Sequence, residues 1–152
     1  MIVFRLSKSK FADDLSGKGA EKCGGRWNSK GVAMVYTSES RALCTTEIAV
    51  HTPLGALPQD YKIISIEIPD EIEIKELAID DLPADWSSFP HQHSTQVIGD
   101  QFIAKNEFLV LKVPSVVVKG DFNYLINPGH IEINRVRIKS VESFSFDVRL
   151  FK

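Results

Sequence analysis

Three side chains with chemical potential fall on successive elements of the stretch Gly24 to His51, GGRWNSKGVAMVYTSESRALCTTEIAVH. Arg26 stands in a glycine-rich loop, Tyr36 at the end of a short apolar run, and Glu47 inside a predicted helix. In GGRWNSKG the glycines let backbone approach a ligand closely, and Arg26 with Lys30 supplies positive charge suited to a phosphate. A carboxylate such as Glu47, set at the floor of a cleft, can stabilise developing positive charge. On its own the glycine-rich loop is a weak signal, because glycine with one arginine is common in turns.

The elements that must position these groups follow from patterning. Val32 to Tyr36 is a compact apolar run between Gly31 and polar Thr37, which predicts a short buried strand. Ser38 or Thr37 can cap a helix running to about His51 with Glu39 in its first turn. Leu43, Glu47 and Val50 then share one face, and Arg41 and Thr45 point the other way. This puts a carboxylate on the core-facing stripe, where it needs compensation. A structural ion pair with an arginine or lysine would supply it; a catalytic carboxylate in a cleft is the alternative.

With 152 residues, 43% of them hydrophobic, the chain suits one domain with a substantial core. A net charge of −2, with lysines and arginines scattered singly, argues against nucleic acid as a direct partner. No run of about 18 apolar residues predicts a membrane span, and MIVFRLSKSKF lacks the features of a signal peptide. A soluble cytoplasmic protein is expected. Cys23 and Cys44 are too few for a disulfide framework and form no CxxC pair, so both are expected as thiols.

Ile2 to Leu6 reads as a first strand, and Lys8 to Cys23 as a helix turn followed by a loop. After the Thr52 to Asp60 loop, Tyr61 to Ile68 alternates as a half-buried strand, and Ile72 and Ile74 alternate again. Asp80 to Pro90, containing Trp86, reads as a surface connection. Ser94 or His93 can cap a second helix to about Ala104 that buries Val97, Ile98 and Phe102. FLVLKV, VVV and NYLIN read as strands covered on both faces, and the segment from Val136 to Leu150 as a closing strand. The predicted class is α+β, mostly β, with two or three helices around one or two sheets.

The succession GGRWNSKG, VYTSESRALCTTEIAVH, STQVIGDQF, LVLKVPSVVV, NYLINPGH and FDVRLF resembles the RES domain, the toxin half of bacterial RES and Xre toxin-antitoxin systems. The similarity spans nearly all of residues 1–152, with blocks in the family's order and spacing. The arginine, glutamate and serine of the family's name match Arg26, Glu47 and Ser115. Cys44 departs from a frequent alanine and Phe102 from a frequent tryptophan.

The resemblance implies a fold related to ADP-ribosyltransferases and an enzyme that depletes NAD by cleaving the bond between nicotinamide and ribose. The ADP-ribosyl group would pass to water, inorganic phosphate or a protein. It further implies an Xre-like helix-turn-helix antitoxin that blocks the cleft, with a homodimer or a larger toxin-antitoxin complex as the assembly. Nicotinamide leaves NAD as a neutral molecule, so one carboxylate can suffice, unlike the pair of an ordinary glycosidase. Glu47 would stabilise the oxocarbenium-like transition state; Arg26, helped by Lys30, would fork onto the pyrophosphate. Tyr36 would stack on nicotinamide or cap the ribose, and Ser115 would donate to ribose or pyrophosphate. Asn127, most simply a turn residue before Pro128, is an outside candidate for the cleft.

Other chemistries fit less well. Cys44 and His51 lie seven apart on one predicted helix, about 10 Å along its axis, too far for a nucleophile and base. His91 and His93 with His51 or His130 lack a matched carboxylate motif, so no metal is expected. A non-catalytic NAD-binding or interaction module is the competing class.

Overall fold

The computed structural model describes residues 1–152, and its frame is one seven-stranded sheet. The strands are β1 (Ile2–Lys8), β2 (Val35–Ser38), β3 (Tyr61–Glu67), β4 (Ile74–Glu76), β5 (Val110–Pro114), β6 (Phe122–Ile126) and β7 (Arg137–Phe144). They lie in the order β4-β5-β6-β2-β1-β3-β7. Every neighbouring pair is antiparallel except β4 and β5. Three helices complete the α+β fold: α1 (Lys18–Cys23), α2 (Arg41–Val50) and α3 (His93–Lys105). None is long and apolar enough to cross a membrane.

The apolar runs of β5 and β6 are covered on both faces, as their composition predicts. Val110 and Ile126 join one core cluster with Val35 and Ile64, whereas their neighbours Leu111, Val113 and Leu125 join a second with Trp27, Met34 and Phe102. Successive residues entering different clusters is what the pleat of a doubly covered sheet requires.

Several boundaries differ from the sequence reading. The second strand starts and ends later than Val32 to Tyr36, because Thr37 and Ser38 pair with Tyr124 and Asn123 of β6. Their hydroxyls are satisfied there, Thr37 Oγ1 donating to the Tyr124 carbonyl (2.6 Å) and Ser38 Oγ to Asn123 Oδ1 (2.8 Å). The cap of α2 is therefore Ser40, whose Oγ accepts from Leu43 N–H (3.0 Å), and Glu39 precedes the helix, accepting from Phe122 N–H (2.9 Å). The stretch after β1, read as a helix turn and loop, carries a 3-10 turn and the short α1.

VVV at 116–118 is not a strand: Ser115 Oγ accepts from Val117 N–H and Val118 N–H, both 3.1 Å, and turns the chain at the end of β5. The closing strand stops at Phe144, because Asp147 accepts from Arg149 N–H (2.9 Å) and starts a 3-10 turn, leaving Val148 and Leu150 half exposed. On α3 the buried residues are Thr95, Gly99 and Phe102, and Val97 is exposed. Gln92 stands at the cap without a side-chain capping bond, while Ser94 donates to Asp85 (2.7 Å). The reason is what this helix packs against, a loop with polar backbone to satisfy.

Candidate active site

Arg26, Tyr36 and Glu47 meet in one cavity of about 610 Å³, which Trp27, Asn123, His51, Phe89 and His91 also line. This volume lies within the roughly 300–1,000 Å³ usual for small-molecule sites. No group of three or more His, Cys, Asp or Glu side chains stands close enough to hold a metal ion.

Glu47 projects from α2, three residues beyond the buried Cys44. It is partly buried, and no cation stands within ion-pair distance; the chain's ion pairs join other groups, such as Arg41 to Glu142. The structural ion pair is therefore ruled out. Instead Glu47 Oε1 accepts from Asn123 Nδ2 (2.8 Å) and Ser115 Oγ (3.1 Å), and no protein donor reaches Oε2. Two neutral donors from β6 and the end of β5 fix the carboxylate, leaving one oxygen for a ligand. Val50 is on the same stripe but 55% exposed, because the helix end overhangs the cavity and not the core.

Arg26 approaches from the loop after α1. Its Nη1 donates to the carbonyls of Trp86 and Ser88, both 2.9 Å, so the segment read as a surface connection folds over the site. Trp86 packs on the second core cluster. Burial lowers the Arg26 pKa, with Glu47 and then Tyr36 acting in the opposite direction. The remaining guanidinium N–H groups carry no protein partner, so they are available to an anion.

The Arg26 loop is held from two sides. Asn28, fully buried, donates to the carbonyls of Ala20 (2.8 Å) and Val32 (2.9 Å) and accepts from the Tyr36 hydroxyl (2.6 Å). Tyr36 in turn accepts from Trp27 N–H (3.1 Å). Burial pushes its phenol pKa well up, only partly opposed by the Trp27 N–H, so the hydroxyl remains a donor. Tyr36 presents its ring to the cavity, its hydroxyl being engaged in the loop. A Cβ at Gly25 would stand 2.8 Å from that hydroxyl, which is why glycine is needed there.

On the other side α3 satisfies the loop's backbone. Thr95 Oγ1 donates to the Arg26 carbonyl (2.6 Å), and Gln96 Nε2 to those of Gly25 (3.0 Å) and Asn28 (3.2 Å). Asp100 accepts from Ser29 N–H (2.9 Å) and Ser29 Oγ (2.6 Å). Gly99 lets the helix touch the loop: a Cβ there would fall 1.6 Å from the Trp27 carbonyl oxygen.

The other sequence candidates stand elsewhere. Lys30 is exposed and does not line the cavity. Asn127 is buried in a turn, donating to Asn106 Oδ1 (2.8 Å) and accepting from Gly129 N–H (2.9 Å), so its side chain is used structurally. Ser115 is buried behind Glu47, and its proton goes to that carboxylate and not into the cavity. Sequence reasoning missed Asn123, Gln96 and Arg5. Arg5 lines a smaller cavity of about 270 Å³ that shares Tyr36, Glu47, His51 and Asn123 with the main one, and its Nη1 donates to the Asp14 carbonyl. An arginine and an asparagine inside short apolar strands were the available signals, since neither residue favours such positions.

A partly buried carboxylate and an arginine with free donors thus line one cavity of small-molecule size on an α+β sheet. The chain belongs to the RES domain family, whose model matches residues 2–148. It is 39% identical over 143 residues to the Prs ADP-ribosylating toxin of Sphingobium sp. (strain YBL2), covering 93% of this chain and 89% of that protein. It is 36% identical over 157 residues to Toxin Res of Photorhabdus laumondii, covering 100% of this chain and 98% of that protein. Among solved structures, a chain of the M. tuberculosis MbcT-MbcA toxin-antitoxin complex superposes with a TM-score of 0.75, covering 99% of this chain and 86% of that one. At 19% identity that likeness speaks for the fold.

Proposed function

We propose that this protein is the toxin of a toxin-antitoxin pair and cleaves the nicotinamide-ribose bond of NAD, depleting it in the cytoplasm. The observation that carries the reading is Glu47: a carboxylate held in a cavity wall by two neutral donors, with Oε2 free. No structural ion pair accounts for it. The ribose C1′ to nitrogen bond breaks, nicotinamide takes the electron pair and leaves neutral, and positive charge spreads over C1′ and the ring oxygen. Glu47 stabilises that charge and bonds a ribose hydroxyl, while Arg26 engages the pyrophosphate with the donors it has left after binding the Trp86 and Ser88 carbonyls. An acceptor oxygen then bonds C1′ and releases its proton to solvent.

Water or inorganic phosphate is the acceptor favoured here, with the Arg5 guanidinium, which lines the adjoining cavity together with Glu47, to hold an anionic one. The relative named a Prs ADP-ribosylating toxin supports a protein acceptor as the second reading. Relatives named as toxins, and the structural neighbour taken from a toxin-antitoxin complex, support an antitoxin partner, for which we propose an Xre-like helix-turn-helix protein.

The test is nicotinamide release from NAD by antitoxin-free protein, with and without phosphate, and with Glu47→Gln as control. Glu47→Gln keeps the size and the Oε1 acceptor, so it is expected to melt like wild type while losing about 10²–10³-fold in kcat. Dependence on phosphate separates phosphorolysis from hydrolysis. Absence of release from folded wild type, even with candidate protein acceptors added, would convert the reading to a non-catalytic binding module.

A further inference from the structure

Phe89 is 84% exposed, yet it lines the main cavity. A single exposed aromatic is ordinary on a surface; this one is held in place. Arg26 Nη1 grips the carbonyls of Trp86 and Ser88, the second of which immediately precedes Phe89. Trp86, three residues earlier, is anchored on the second core cluster. Asp85 is tied to the start of α3 through Ser94 Oγ (2.7 Å). A short loop pinned at these points presents an unpacked aromatic ring at the mouth of the site.

Resting on the NAD-cleaving reading, we infer that Phe89 is the platform on which the adenine ring of the dinucleotide stacks. The hydrogen bonds of Arg26 to the 86–88 carbonyls assign the end. Nicotinamide and its ribose belong at Glu47, and the pyrophosphate at the guanidinium of Arg26. The adenosine half continues past the arginine, and the cavity wall joined to Arg26 by hydrogen bonds is the 86–89 segment. Arg26 therefore couples the two contacts, holding the pyrophosphate with one part of its fork and the adenine platform with the other. Base-on-aromatic stacking contributes roughly tenfold or more in affinity for one base, and one two-torsion side chain costs little to order.

The experiment compares kcat/KM for NAD and for nicotinamide mononucleotide, which lacks the adenylate half (adenosine and one phosphate), in wild type, Phe89→Ala and Phe89→Trp. Wild type is expected to prefer NAD. Phe89→Ala should lose roughly tenfold on NAD through KM, and with it most of that preference, at unchanged melting temperature; Phe89→Trp should restore it. Equal handling of both substrates by wild type, or an Ala variant unchanged on NAD, overturns the assignment. A wild type that cleaves no NAD at all instead removes the parent reading, and this one with it.

Discussion

The two walls of the cavity are built on opposite plans. The carboxylate wall is made by secondary structure: Glu47 on α2, Asn123 on β6 and Ser115 at the end of β5, joined by two hydrogen bonds to one oxygen. The arginine wall is a loop with almost no ladder of its own, a single bridge between Gly25 and Asn28, whose backbone is satisfied by side chains of α3 and by Asn28. The reacting end thus gains rigidity from the sheet, and the anion-binding end gains position from a borrowed set of polar side chains. Damage to the first is expected in kcat and damage to the second in KM.

The largest effect that separates the walls is steric. Gly99→Ala would drive a methyl group into the Trp27 carbonyl, backbone against backbone, and the helix must move off the loop. A stability loss of at least about 3 kcal/mol in urea unfolding is expected. Gly19→Ala, on α1 where nothing lies within 4 Å, should instead gain up to about 1 kcal/mol. Next comes Arg26→Lys. An ammonium lacks the planar fork that lets Nη1 hold two carbonyls while Nε and Nη2 stay free for the pyrophosphate, so KM for NAD should rise about 10- to 100-fold with a smaller change in kcat. Hydrogen exchange at 86–91 should rise as well, because two of the loop's anchors, the Trp86 and Ser88 carbonyls, are held by that guanidinium.

Ser115→Ala attacks the other wall. It leaves Glu47 with one donor and frees the Val117 and Val118 N–H groups, at a cost of about 1–2 kcal/mol in stability. Here kcat should fall several-fold with KM little changed. A KM effect as large as that of Arg26→Lys would place Ser115 on the ligand and break the contrast between the walls.

Much of the carboxylate wall is legible in the sequence, because periodicity governs it. Leu43 and Glu47 on one helical stripe, the apolar runs of β5 and β6, and the alternation of β3 all follow from local spacing. The arginine wall is not legible in that way. Thr95, Gln96 and Asp100 have the look of a solvated helix face, and nothing local says that a loop 70 residues earlier supplies their partners. Phe144, Phe146, Val148 and Leu150 show the opposite failure: a perfect period of two, ended by one Asp147 cap and by Phe146 packing edge-on against Phe144, Tyr61 and Phe151. Even at Ser115 and Val116 the apolar run misleads, since one hydroxyl accepting from two N–H groups outweighs the β propensity of three valines.

The smallest expected effect probes how α2 is tied to the sheet. Cys44 is buried one turn before Glu47, its thiol donating to the Phe4 carbonyl of β1 (3.1 Å), and burial pushes its pKa up to about 11. Because the folded value lies above the unfolded one, the contribution is fully present below pH 9 and is lost as pH rises toward 11. Between pH 9 and 10 this amounts to about 1 kcal/mol. Tyr36 acts in the same direction but later, since an unfolded phenol titrates near 10. Urea melts of wild type and Cys44→Ala at pH 7, 9 and 10 isolate the thiol. The variant should lose stability less steeply above pH 9, and parallel curves would show that Cys44 does not titrate on unfolding.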